Sequence, residues 1–143
     1  MRRAALTIAA TAIAISVTAS AVAASTPPRG LPDCLGHPQV HPRQVMLACA
    51  DGGFGFDHLT WIGWGGARAV GIGSAFANDC KPSCVAGHVH RYPAVLIASG
   101  SQRCPNGSTA YRTVTYAFIG PSPFPANAPG TTNPRQTMRC GSA

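Results

Sequence analysis

Residues 59–79 read LTWIGWGGARAVGIGSAFAND, and the alternation inside this stretch decides the fold. In an extended chain successive side chains point to opposite faces, so Leu59, Trp61 and Gly63 share one side while Thr60, Ile62 and Trp64 share the other. That pattern predicts a strand with two aromatic anchors on opposite faces. Further on, Ala67, Ala69, Gly71 and Gly73 recur at period two, so one face of the next strand carries almost no bulk. A large side chain should pack there, and Trp61 or Trp64 are the natural candidates.

The flanking segments extend the same reading. Residues 40–49, VHPRQVMLAC, end in an apolar run, and Ala50-Asp51-Gly52-Gly53 follows as a turn because Gly adopts positive φ without steric cost. A strand entering a hairpin is predicted. Val89 to Ser99, VHRYPAVLIAS, is a third apolar strand, and Pro93 within it favours an edge position or a bulge. Tyr111 to Ile119, YRTVTYAFI, is rich in β-branched and aromatic residues after a turn at Gly107-Ser108. No segment after residue 24 shows a 3.6-residue apolar period or a capping box. The fold class read from the sequence is therefore all-β, a small disulfide-stabilised sandwich or barrel of about five strands after a cleaved signal peptide.

The ends bound the domain. Met1-Arg2-Arg3, an apolar run from Ala4 to Val17 and the small residues from Ala19 to Ala24 form the three-part pattern of a secretory signal peptide. The run is shorter and less apolar than a spanning helix requires, so no membrane anchor is expected. The expected organisation is a signal peptide at 1–24, a flexible Pro-rich lead-in at 25–33, a disulfide-stapled β domain at 34–120 and a coil tail at 121–143 tied by Cys140. About 120 residues remain after cleavage, one ordinary domain with a modest core.

Cys34, Cys49, Cys80, Cys84, Cys104 and Cys140 all follow the signal segment, an even number in an exported chain, and three disulfides are the leading expectation. Six cysteines allow fifteen pairings. Cys104 with Cys140 is preferred because it ties the tail to the sheet. A direct Cys80–Cys84 bridge closes so short a loop that the entropic gain is small, which favours a distant partner for each.

Charge and chemistry narrow the function. Without Arg2 and Arg3 the chain holds nine Arg and Lys against four Asp, a formal charge near +5, and it contains no Glu. A basic surface suits nucleic acid, anionic cell-wall polymers or lipid headgroups, but the arginines are spread singly with no run like a nucleic-acid arm, so solubilising charge is the favoured reading; the expected partner is an extracellular protein or an anionic polymer, not nucleic acid. The segment NDCKPSCVAGHVH (78–90) offers Cys80, Cys84, His88 and His90 within eleven residues, a short-spaced set that zinc could take. Export to an oxidising compartment argues for disulfide use instead, and the spacing is not that of a Cys-x-x-Cys redox pair. Neither a metal nor another cofactor is expected. Asp33, Asp51, Asp57 and Asp79 all sit in turn-like settings, which argues against a two-carboxylate glycosidase. The sequence leans to a non-catalytic binding or structural module. Trp61, Trp64, Arg68, Arg91 and Arg112 are its candidate contacts, since an exposed Trp beside an Arg can stack on a sugar or a base. The alternative is a small extracellular hydrolase, ribonuclease-like or directed at wall polymers, using two of His58, His88 and His90 as acid and base. A third reading has Lys81-Pro82-Ser83 as a rigid, disulfide-bounded loop of an inhibitor or adhesin.

The strings LACADGGF (47–54), LTWIGWGGARAVGIGSAFANDCKPSCVAGHVHRYPAVLIAS (59–99) and RCPNGSTAYRTVTYAF (103–118) resemble a group of small exported actinobacterial proteins of unassigned function. The shared pattern is a Cys-Ala-Asp-Gly turn, a two-Trp strand, an Ala/Gly-rich strand, an Asn-x-Cys-x-Pro-x-Cys segment and a Tyr-Pro strand, and it spans Val45 to Phe118. Val85 stands where the pattern has Ala, and Gly53 where Asn is common. The resemblance implies secretion and Cys49, Cys80, Cys84 and Cys104 as framework residues, and it transfers no catalytic residue.

Overall fold

A computed structural model describes residues 28–121 and 134–141. The signal segment and residues 122–133 of the tail lie outside the described residues. Among those described there is no helix, and the chain runs through ten strands: β1 (Leu31–Pro32), β2 (Pro38–Gln39), β3 (Val45–Met46), β4 (Phe54–Ile62), β5 (Arg68–Asn78), β6 (Val89–Ser99), β7 (Gln102–Arg103), β8 (Thr109–Ala110), β9 (Thr113–Phe118) and β10 (Arg135–Thr137). Six form one antiparallel sheet in the order β10-β9-β6-β5-β4-β3, and two small hairpins, β1-β2 and β7-β8, complete the structure. The all-β, disulfide-stabilised class read from the sequence is the observed one, with the sheet curled into a half-barrel.

The small residues of the two central strands allow that curl. Ala69 and Ala75 on β5 and Ala94 and Ala98 on β6 are fully buried and point inward. With no bulk between them, aromatic rings from the outer strands meet over this floor: Phe56 of β4 lies 5.3 Å from Tyr116 of β9, although two strands separate them in the sheet. Leu31, Val45, Leu47, Leu59, Leu96, Tyr111, Val114 and Met138 complete the buried cluster. The predicted bulk on the bare face of β5 is Trp61. A Cβ at Gly71 would stand 3.1 Å from the Trp61 ring.

The two tryptophans do not point to opposite faces. β4 ends at Ile62, and Gly63 and Gly65, with φ of 69° and 85°, turn the chain so that Trp64 folds back beside Trp61 at 4.8 Å. Period two applies only while the backbone stays extended. Both indole N–H groups donate to backbone carbonyls, Trp61 to Pro42 at 2.7 Å and Trp64 to Arg29 at 2.8 Å.

The order of the sheet differs from the sequence reading at Pro93. β6 is a central strand, paired with β5 along its whole length. The proline fits because β6 pairs with β9 only from Ala94 to Ser99, so its missing N–H falls at the end of that ladder. Its carbonyl still accepts from Ile119 N at 2.7 Å. The segment read as a flexible lead-in also differs: Leu31 and Pro32 are buried, and Gly30 bonds to Thr109 and Tyr111. A Leu flanked by Gly and Pro reads as coil, yet its single large side chain reaches the core. In the tail, Arg135–Thr137 pairs with β9 rather than remaining coil.

The bridges are Cys34–Cys49, Cys80–Cys84 and Cys104–Cys140. The preferred Cys104–Cys140 pair is present. Cys80 and Cys84 pair with each other and not with distant partners, because the turn after β5 brings them together and nothing else stands nearby to compete.

Candidate functional site

β5 ends at Asn78 and β6 begins at Val89, and the connection between them is the predicted loop. Two residues at its root organise it. Asn78 accepts from Cys80 N at 2.9 Å and donates to Cys84 O at 2.8 Å, spanning the disulfide from inside. Asp79 Oδ1 accepts from the backbone N–H of Lys81 at 3.1 Å and of His88 at 2.9 Å, while Oδ2 faces His90 Nε2 at 3.2 Å. Backbone donation from His88 and Lys81, with the His90 side chain adding to it, holds the Asp79 carboxyl at about 2, well below its usual range. Gly87 packs so closely that a Cβ there would stand 2.8 Å from Cys80 N. The loop interior is thus spoken for, while Lys81, Pro82, Ser83 and Val85 are exposed, Val85 completely.

His88 and His90 converge on one carboxylate oxygen, His88 Nδ1 at 3.9 Å from Asp79 Oδ2, and both imidazoles are largely exposed. His58 belongs to a separate cluster. The register of β4 shifts between Asp57 and Thr60, and His58 sits in this bulge with φ of 55°. Its Nδ1 lies 3.0 Å from Asp57 Oδ1, and Arg91 Nε donates to Asp57 Oδ2 at 2.9 Å. Burial pushes the Asp57 carboxyl up, but the hydrogen bonds and charges of His58 and Arg91 outweigh it and leave it below the ordinary carboxylate value.

Of the turn-type roles read for the aspartates, three hold. Asp33 accepts from Leu35 N and His37 N, Asp51 from Gly53 N, and Asp79 ties its loop. Asp57 is the exception, a strand residue paired across 34 positions with Arg91. Nothing local in the sequence announces that pair.

The other predicted contacts scatter. Trp61 and Trp64 are half-buried on the core, Arg68 stands exposed at the start of β5, and exposed Arg112 donates its N–H to Ser99 O at 3.1 Å. With Cys80 and Cys84 bonded together, no thiolate remains for the zinc set, and among the described residues no group of three His, Cys, Asp or Glu side chains is arranged to hold a metal ion. A cavity of about 240 Å³ lies between β1, β2 and β3, lined by Leu31, Pro32, Cys34, Pro42, Val45 and Met46 among others, and none of its lining residues is a histidine. The sequence reading missed it because its walls come from separate short strands. No described helix is long and apolar enough to cross a membrane.

Comparison with protein-family models, with curated proteins and with solved structures gives no significant match.

Proposed function

We propose that this chain is a secreted, non-catalytic binding module and that the 79–88 loop is its contact element. One observation carries the reading. Asn78, Asp79 and the Cys80–Cys84 bridge fix the loop from within, Ser83 closes its tip by accepting from Ala86 N, and the side chains of Lys81, Pro82 and Val85 are held outward and exposed. A loop ordered before binding does not lose its conformational freedom on association, which is how rigid display loops gain affinity. Three disulfides in a small β domain fit an oxidising extracellular compartment, and the resemblance to small exported proteins belongs to the same reading. The partner is an extracellular protein or an anionic polymer, met by Lys81 and the apolar Val85.

The test is binding of the folded protein to extracellular protein fractions and to purified anionic wall polymer. A Lys81→Ala/Val85→Ala variant with unchanged circular dichroism should bind at least tenfold more weakly. Full retention of binding would remove the loop from the contact.

A second reading, the small extracellular hydrolase, draws on the Asp57–His58 and Asp79–His90 contacts, which orient imidazoles as general acid–base catalysis requires. Nuclease or wall-hydrolysis turnover abolished by His58→Ala or by His88→Ala/His90→Ala would establish it in place of the first.

A further inference from the structure

The outward face of the sheet is a separate surface. Register sets two rows across three strands there: Ile62, Val70 and Ile97 in one, Thr60, Ile72 and Val95 in the next. Their neighbours in each strand, Ala69, Leu96 and Ala98 among them, point inward and are buried. Among the described residues no second layer packs over these rows: Ile62 is 61% exposed and Ile72 47%, while Val70, Val95 and Ile97 are half-buried. Singly exposed apolar residues are ordinary, but a contiguous β-branched band on one sheet face marks an interaction surface.

Basic side chains stand at both ends of the band. At one end Arg68 pairs with Ser99, whose carbonyl also receives the Arg112 N–H, so two exposed guanidinium side chains flank that edge. At the other stand Arg91 and His58. Asp57, the acidic side chain on this part of the face, has one oxygen on each of them and leaves no free carboxylate.

We infer that this face docks on an anionic lipid bilayer surface. Three features select that occupant. The core fills the inner side of the curled sheet, so the outer side is convex, and two convex copies cannot bury the roughly 1,200 Å² that a stable interface needs. A bilayer interface deforms to a convex shape and accepts apolar side chains at the headgroup–acyl boundary. Arg68 and Arg112 at one end then lie at headgroup level, where anionic lipids attract them, while Arg91 at the other is already paired with Asp57. The inference goes beyond the loop reading and uses none of the loop residues, so either can fail alone.

The experiment is co-sedimentation of the full disulfide-bonded protein with phosphatidylcholine vesicles, with and without phosphatidylglycerol. Expected are binding to the anionic vesicles only, about a fivefold loss for each of Arg68→Gln and Arg112→Gln, and loss of binding in Ile62→Asp/Ile72→Asp. Ile62→Ser/Ile72→Ser serves as a milder pair, with circular dichroism confirming the fold of each, and Lys81→Ala/Val85→Ala should bind vesicles as the parent does. Absence of co-sedimentation overturns the inference. So does binding that both Ile pairs leave intact, or equally tight binding to a soluble polyanion, since either would show charge attraction without the apolar band.

Discussion

The three bridges close loops of very different length, and this orders what each contributes. Cys104 and Cys140 are 36 residues apart, Cys34 and Cys49 15, and Cys80 and Cys84 only 4. If a bridge acts by restricting the unfolded chain, loops of these lengths are worth about 3.8, about 3.0 and about 1.9 kcal/mol at room temperature. Replacing both Cys104 and Cys140 by Ser should therefore cost about 4 kcal/mol, most of the stability of a marginal domain. Urea unfolding under non-reducing conditions measures it. With a slope of about 1.5 kcal/mol/M, the midpoint falls by about 2.5 M, and the slope itself rises because the released unfolded chain exposes more surface. The Cys80→Ser/Cys84→Ser variant should lose about half as much. Equal losses for the two pairs would refute the reasoning, since the short bridge would then act through native contacts. A loss below about 1 kcal/mol for the long pair would refute it as well, because Met138 N to Arg112 O and Gly141 N to Gly36 O would be holding the tail without the bridge.

Three further outcomes follow from the packing and the charges. Tyr111→Phe removes a buried hydroxyl that accepts from Gly65 N at 2.9 Å and donates to Gly66 O at 3.2 Å; both glycines are exposed and water replaces part of the loss, so denaturant unfolding should show a cost of about 1 kcal/mol. Gly73→Ala places a Cβ 2.6 Å from the carbonyl oxygen of Asp57 at the bulge, and thermal unfolding should reveal a destabilisation of about 1–3 kcal/mol together with displaced His58 resonances. The Asp79 carboxyl drops from 3.8 to about 2 on folding, so its stabilisation is fully present above pH 4 and disappears as pH falls through about 2. Protection of the Lys81 and His88 amides, measured as exchange relative to the intrinsic rate at each pH, should fall over that interval in the parent, and should already be lost at neutral pH in Asp79→Ala.

Much of this architecture was legible because strand patterning is a statement about two faces. Val89 to Ser99 matches β6 residue for residue, and the bare Ala/Gly face of β5 correctly demanded a large neighbour, which Trp61 supplies at Gly71. The reading failed where the backbone leaves the extended state. Gly63 is the instructive case: one residue at positive φ puts Trp64 on the same side as Trp61 and converts an expected exposed contact into a wall of the core. β10 escaped notice because three polar residues acquire strand character only by pairing with β9, and Leu31 because it sits between glycine and proline.

The candidate sites divide along the same line. The 79–88 loop could be seen in advance, since Asn, Asp, Pro and paired Cys are local turn chemistry that acts within a few residues. The Asp57–Arg91 pair and the Ile62–Val70–Ile97 row could not, since both are created by register between strands distant in sequence. Register also explains why the outward band is contiguous. Each strand contributes only every second residue, so its apolar character is diluted by half in the sequence. It becomes a surface only when β4, β5 and β6 bring those residues level. A one-residue slip of β5 against β6 would turn Ile72 inward and Ala69 outward, exchanging band for core. The buried alanines that let the sheet curl therefore also hold the outward row in place.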